Sequence, residues 1–367
     1  MRARLCAEGR LLMFLTAALL VAGAMAVYSA SGFASMRYFG NSHHYFAGHL
    51  LRTLVGILLG VCAWKIGPGF WKAVALPLYL LSLALVLVTI IPSCPIAPSI
   101  NGSSRWIVAG PVKIMPSELV RFSFVILVAT LVTRGSVSPR TLRGVAIISF
   151  LGSVPAAMYL LQPDYAGAAF LVGTVLVMLY ISEARFSHLL LLVAAAAVLL
   201  GVFVVSTPYR ADRVRGWLNQ GQEVNGDNFQ PEQSCIALGS GGILGRGLGR
   251  GRQQRGFLPE AFTDFIFAVI GEETGFAGSI AVLLAFFALF SCAWRISAKA
   301  DDAFGSLVAG GLTASIMGAF LIHVGVCLRL LPATGMTLPL VSWGGTSMMT
   351  TLVSLGVIAR VATGVRR

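Results

Sequence analysis

The stretch FLPEAFTDFIFAVIGEETG, residues 257–275, sets Glu260, Asp264, Glu272 and Glu273 into an otherwise apolar run. The chain has only 14 acidic residues among 367, so four of them in one short segment is a concentration. Carboxylates are costly near hydrocarbon, and ionisable residues at the mouth of an apolar span point to a functional site. Composition supports a membrane setting: 57% of residues are hydrophobic and 11% charged, where a soluble domain carries about 25% charged residues. Long apolar runs, rather than short alternating strands, predict an all-α integral membrane protein.

Working outward, about ten spans are expected, at 11–31, 46–66, 69–91, 117–133, 142–161, 166–182, 187–206, 264–293, 306–328 and 338–362. They form one polytopic domain over 1–367, with a long loop at 207–263 between the seventh and eighth spans. Lys and Arg set the orientation. With the N-terminus inside, the inner side carries 14 of the 27 cations, among them Lys65, Lys72, Arg134, Arg140, Arg143, Arg295 and Lys299. The short outer loops hold only Arg37, Arg105, Lys113 and Arg329, and Arg52 and Arg121 fall within spans. Both termini are then cytoplasmic and 207–263 is extracytoplasmic, on the same side as the acidic stretch. Chemistry there proceeds without ATP.

Asp264 begins a helix, so it can cap backbone N–H groups, or it can accept a proton from a hydroxyl. Glu260, after Pro259, reads as a first-turn acid near the same mouth. Glu272 and Glu273 lie about 12 Å further along the helix and are expected to pair with buried Arg or Lys. The segment GSGGILGRGLGRGRQQR, 239–255, carries Arg246 and Arg250 among closely spaced glycines, and Arg210 adds to a second basic run. Glycine-rich backbone and guanidinium groups suit an anion such as a lipid-linked diphosphate; a flexible solvated loop is the alternative. Glu118 and Arg121 have the spacing of an intrahelical ion pair. Asp164, in LQPDYAG, suits a turn or cap, and Gln233, Ser342 and Thr346 complete the polar candidates for substrate binding. The segment LLPATGMTLPLVSWGGTS, 330–347, would break a helix start, which at membrane depth is tolerated only inside protein or beside a water-filled cavity. The chain has no HExxH, GxSxG or P-loop motif and no Cys/His metal spacing, so no covalent nucleophile or nucleotide site is nominated.

NGSSRW (101–106), PSELVR (116–121), QPDYAG (162–167), PEAFTDFIFAVIGEETG (259–275) and LPATGMTLPLVSWGGTS (331–347) stand in the order found in the SEDS family of shape, elongation, division and sporulation proteins, which the chain resembles over nearly its whole length. It is more similar to the division member, FtsW, than to the elongation member, RodA. The resemblance implies a peptidoglycan glycosyltransferase of the bacterial cytoplasmic (inner) membrane, acting at the septum and polymerising lipid II into glycan strands at the outer face. It implies that Asp264 activates the acceptor hydroxyl while undecaprenyl diphosphate leaves. It further implies a class B penicillin-binding protein and other divisome proteins as partners, and no nucleic acid. A divalent cation, Mg or Mn, at Asp264 would suit a carboxylate beside a diphosphate; no nucleotide is expected. The chain departs from the family at Phe262 (usually His), His323 and Cys327 (usually Asn), Arg329 (usually Gly), Arg121 (usually Lys) and Trp343 (usually Tyr). A lipid II flippase needing Glu118, Arg121 and Asp164, a RodA-type elongation polymerase, and a scaffold for a division partner are the competing readings.

Overall fold

A computed structural model describes residues 5–91, 94–99, 103–110, 112–205, 229–253 and 256–364; Arg210 and much of the 207–263 loop lie outside them. The elements are helices α1 (Ala7–Phe39), α2 (His44–Lys65) and α3 (Pro68–Ile90), a hairpin of β1 (Ile107–Ala109) and β2 (Val112–Ile114), and helices α4 (Pro116–Thr133), α5 (Leu142–Leu161), α6 (Tyr165–Ile181), α7 (Phe186–Val205), α8 (Phe229–Ser240), α9 (Ile266–Ala298), α10 (Ala303–Cys327) and α11 (Gly345–Val361). Among the described residues seven helices are long and apolar enough to cross a membrane, and α6, α7 and α11 are shorter apolar helices. Together they make the ten expected spans of a multi-pass membrane protein.

Local sequence explains the helix boundaries. Pro68 and Pro116 occupy first-turn positions where no N–H is needed. Thr141 and Asp164 accept from Gly144 N and Gly167 N as N-caps. Helix α4 is buried through most of its length and packs against α3, α10, α6 and α11. Helices α1, α2, α3 and α7 expose large apolar side chains such as Phe14, Leu58, Leu81 and Leu190, a surface that suits lipid. Helix α2 meets α11 at glycines: a Cβ on Gly60 would stand 2.7 Å from Leu352 O, and one on Gly356 would stand 2.1 Å from Gly60 O. Small residues at such crossings let backbones approach where no hydrophobic drive exists between helices. The ion pairs Glu8–Lys299 and Arg140–Glu183 lie at the end of the bundle that carries both chain ends.

Three features differ from the sequence reading. First, α9 is interrupted at Gly275 (φ 70°, ψ −165°), a conformation open essentially to glycine alone. The break admits residues 242–247: Phe276 N donates to Gly242 O, Ala277 N to Ile243 O, Arg246 N to Glu272 O and Gly247 N to Glu273 O. Glu272 and Glu273 therefore sit at the end of the helical run before the break, where the inserted loop meets them. Second, the last span starts at Gly345 rather than 338, because 331–344 forms an irregular, largely buried segment. That segment packs on α1, where a Cβ on Gly23 would stand 2.7 Å from Leu340 O. Third, the expected outer loops contain the β1–β2 hairpin and α8.

Candidate active site

The turn before α9 holds Asp264. Thr263 N and Asp264 N both donate to Glu260 O. Glu260 itself takes φ 52°, an uncommon conformation for a residue with a Cβ, so the first-turn acid expected there is a turn residue instead. The irregular 331–344 segment clamps this turn. Ser342 Oγ donates to Thr263 O at 2.6 Å while accepting from Leu338 N, and Trp343 N donates to Phe262 O at 3.0 Å. Gly335, at φ +70°, brings its backbone so near that an added Cβ would stand 3.5 Å from Asp264 Oδ2.

Asp264 is half-buried. Removal from water pushes its pKa up to about 7, and the like charge of Glu260 adds to this; a hydrogen bond from Thr263 and the more distant Arg105 oppose it. Its carboxylate has no ion-pair partner among the described residues, which leaves its oxygens open to a proton. The cations stand around it rather than on it. Lys113 Nζ lies 4.3 Å over the Trp106 ring and within electrostatic reach of Glu260. The Arg52 guanidinium lies 4.3 Å over Trp343, with its Nη1 buried and unpartnered among the described residues. Arg105 donates to Ser103 Oγ and Pro163 O and meets Asp164 at 3.4 Å. Tyr45, Phe262 and Trp343 pack on one another beneath Arg52, with centroids 4.7–5.8 Å apart.

The other expected site residues fall into separate groups. Glu118 and Arg121 pair with each other, and Arg121 lies 4.5 Å over Phe170. They line a cavity of about 30 Å³ with Ser347, Thr350 and Ser354, space for about two waters. Asp164 caps α6 and binds Arg105. Thr346 accepts from Met115 N, joining the start of α11 to that of α4. Gln233 is half-buried on α8. Arg246 donates to Ser240 O and stands 3.9 Å from Glu272, and Arg250 is exposed. The glycine-rich loop does not present all its N–H groups to an anion from outside. Gly249 N donates to Glu273, and Arg252 N and Gln253 N donate to Glu272. Glu272 thus pairs with Arg246, as expected of a buried acid, and also accepts from backbone, while Glu273 accepts from Gly249 N and Ser29 Oγ. Among the described residues no cluster of three or more His, Cys, Asp or Glu could hold a metal.

Sequence reasoning passed over Arg52, Arg105 and Lys113, which it used only to orient the chain. The signal for Arg52 was present, since a lone arginine inside an apolar span is itself a functional mark.

Fold and site together define a polytopic helical membrane protein with a carboxylate and a ring of cations at one end of its bundle. The chain matches the family model described as cell cycle protein, FtsW/RodA/SpoVE, over residues 10–367, and it belongs to that family. It is 36% identical to the probable peptidoglycan glycosyltransferase FtsW of Nitrosococcus halophilus (strain Nc4), covering 94% of this chain and 89% of that one. It is 33% identical to the stage V sporulation protein E of Bacillus subtilis (strain 168), covering 96% of each. Its fold resembles a solved peptidoglycan synthase complex that coordinates polymerization and crosslinking, with a TM-score of 0.77 at 25% identity over 96% of both chains. It also resembles the rod shape determining protein RodA of Thermus thermophilus, with a TM-score of 0.69 at 24% identity over 96% of this chain and 95% of that one.

Proposed function

We propose that this protein is a peptidoglycan glycosyltransferase that polymerises lipid II at the outer face of a bacterial cytoplasmic membrane, with Asp264 as general base. The observation that carries the reading is the Asp264 carboxylate, half-buried and without a cation partner among the described residues, while Arg52, Lys113 and Arg105 stand on the same rim. A base poised near neutral pH is matched to taking a proton from a sugar hydroxyl. In the reaction the acceptor oxygen bonds to the anomeric carbon of the donor, the bond to the diphosphate breaks, and the hydroxyl proton passes to Asp264. Arg52 and Lys113 bind the departing diphosphate, since guanidinium and ammonium groups both suit phosphate oxygens. The donor bond itself supplies the driving force, consistent with a site lacking a nucleotide motif.

Two carboxylates in one turn, Glu260 and Asp264, fit a hard cation that takes its remaining ligands from a substrate diphosphate. They are the residues that would hold Mg or Mn, and the bound cation would offset the charge of the leaving group. The same reading extends to a division role, a septal location and a class B penicillin-binding protein as partner; the FtsW-like relatives and the likeness to a synthase complex support it.

The test is polymerisation of purified lipid II by the wild type and by Asp264→Asn, with and without the transpeptidase partner and divalent ions. Polymer from the wild type and none from the variant is the expected result; equal polymer from both would sink the assignment.

A further inference from the structure

We propose that His323 is a positioning residue of this site, whose Nδ1–H holds the Met336–Thr337 peptide, next to Gly335 and the Asp264 carboxylate. The inference rests on the general-base role of Asp264 given above and concerns what holds that base in place.

Helix α10 presents His323 and Cys327 one turn apart on the same face, and both are fully buried. His323 Nδ1 lies 2.8 Å from Met336 O. A carbonyl oxygen only accepts, so the ring proton is on Nδ1. Nε2 is then an acceptor, and it has no partner among the described residues. The histidine therefore makes one directed bond, and makes it to the carbonyl of Met336, the residue after Gly335. Gly335 is placed so that an added Cβ would stand 3.5 Å from Asp264 Oδ2. From 332 to 337 the Met336 carbonyl is, among the described residues, the only backbone group with a hydrogen-bond partner. Beside the carboxylate, this stretch is thus held along its backbone, among the described residues, by a single side chain. One turn further along α10, Cys327 Sγ approaches Asp264 O at 3.9 Å, and Cys327 O accepts from Ser234 Oγ on α8. The end of α10 therefore supports the base from two sides, through its own backbone and through the peptide beside its carboxylate. Misplacement of about 1 Å around a reacting group can cost a hundredfold in rate, so one hydrogen bond at this point is enough to matter for turnover without contributing to substrate affinity.

The test exploits the two ring nitrogens. Asn places its amide nitrogen as many bonds from Cα as Nδ1, whereas Gln places its own where Nε2 stands. His323→Asn is expected to keep turnover within about threefold of wild type on purified lipid II. His323→Gln is expected to lose about tenfold or more in turnover, with the half-saturating lipid II concentration changed by less than about twofold. A role in packing alone predicts the reverse order, because Gln fills the space better than Asn. That order, or a loss that falls on the half-saturating concentration, would overturn the proposal. Gly335→Ala gives a second approach from the loop side. If His323 acts through that peptide, the losses of His323→Gln and Gly335→Ala do not multiply in the double variant; multiplicative losses count against it. Asp264→Asn is run alongside. If Asp264→Asn is inactive while His323→Gln turns over normally, only this inference fails; if Asp264→Asn is fully active, the general-base reading fails as well.

Discussion

Residues 257–275 hold acids in two opposite settings. Glu272 and Glu273 are saturated with donors: Arg252 N and Gln253 N bind Glu272, and Gly249 N and Ser29 Oγ bind Glu273. Asp264, eight residues earlier, is starved of them; it has Thr263, a like charge at Glu260, and no ion-pair partner among the described residues. The same side-chain chemistry thus serves two ends. A carboxylate surrounded by N–H groups ties chain to chain, here the glycine-rich loop to the break in α9. A carboxylate withdrawn from water and left without donors becomes a base. Clustering in sequence marks a region where charge is tolerated, and the donor count then separates structure from chemistry.

Substitutions can break that contrast. The largest effect is expected at Asp264: Asp264→Asn lowers lipid II polymerisation by at least about a hundredfold, the usual worth of a general base, while thermal unfolding in detergent stays close to wild type. Glu272→Ala should do the opposite. It leaves two part-buried backbone donors without their acceptor, costing about 2 kcal/mol in stability, which a lowered unfolding midpoint reads directly. Next comes Arg52→Ala, expected to raise the half-saturating lipid II concentration about tenfold, the worth of one charge-assisted contact, with a smaller loss in turnover. An unchanged concentration dependence would remove Arg52 from the diphosphate site. The pH profile sharpens the contrast further. Ionised Asp264 is the active form, so turnover should rise with pH through about 7. Glu260→Gln removes a like charge that disfavours ionisation, so the rising limb should move to lower pH; a limb that stays put would show that Glu260 does not face Asp264. Arg250→Ala, on an exposed part of the loop, should change either kinetic parameter by less than about twofold, as is usual for a screened surface charge.

Much of the architecture was legible in the chain. Run length and low charge are enough to place a span, and each of the ten apolar segments holds a helix, although α1 runs on to Phe39 and α11 starts only at Gly345. Asp264 was legible because a carboxylate at a span mouth needs a reason to be there. What stayed hidden depends on tertiary fit. The break at Gly275 follows from the loop that fills it, and nothing in an apolar run announces that a second segment will supply its hydrogen bonds. For the same reason the glycine-rich, arginine-bearing loop read as an anion cradle, although several of its N–H groups face carboxylates of its own chain. The departures from the family also became intelligible only in space. Phe262 and Trp343, far apart in sequence, pack against each other at 5.8 Å, and His323 and Cys327 occupy one face of one helix. Four of the six expected departures thus fall into two spatial pairs, while Arg121 pairs with Glu118 elsewhere.

The clamp between 262–264 and 338–343 has a consequence for biogenesis. Thr263 O and Phe262 O receive their donors from Ser342 and Trp343, about eighty residues later. A membrane protein is inserted in order of synthesis, so the aspartate turn emerges long before the segment that holds it. The site therefore closes only when the last span has been delivered, and a nascent chain halted after α9 carries the base without its geometry. Chain order alone thus delays assembly of the aspartate turn until the segment before the last span has been made.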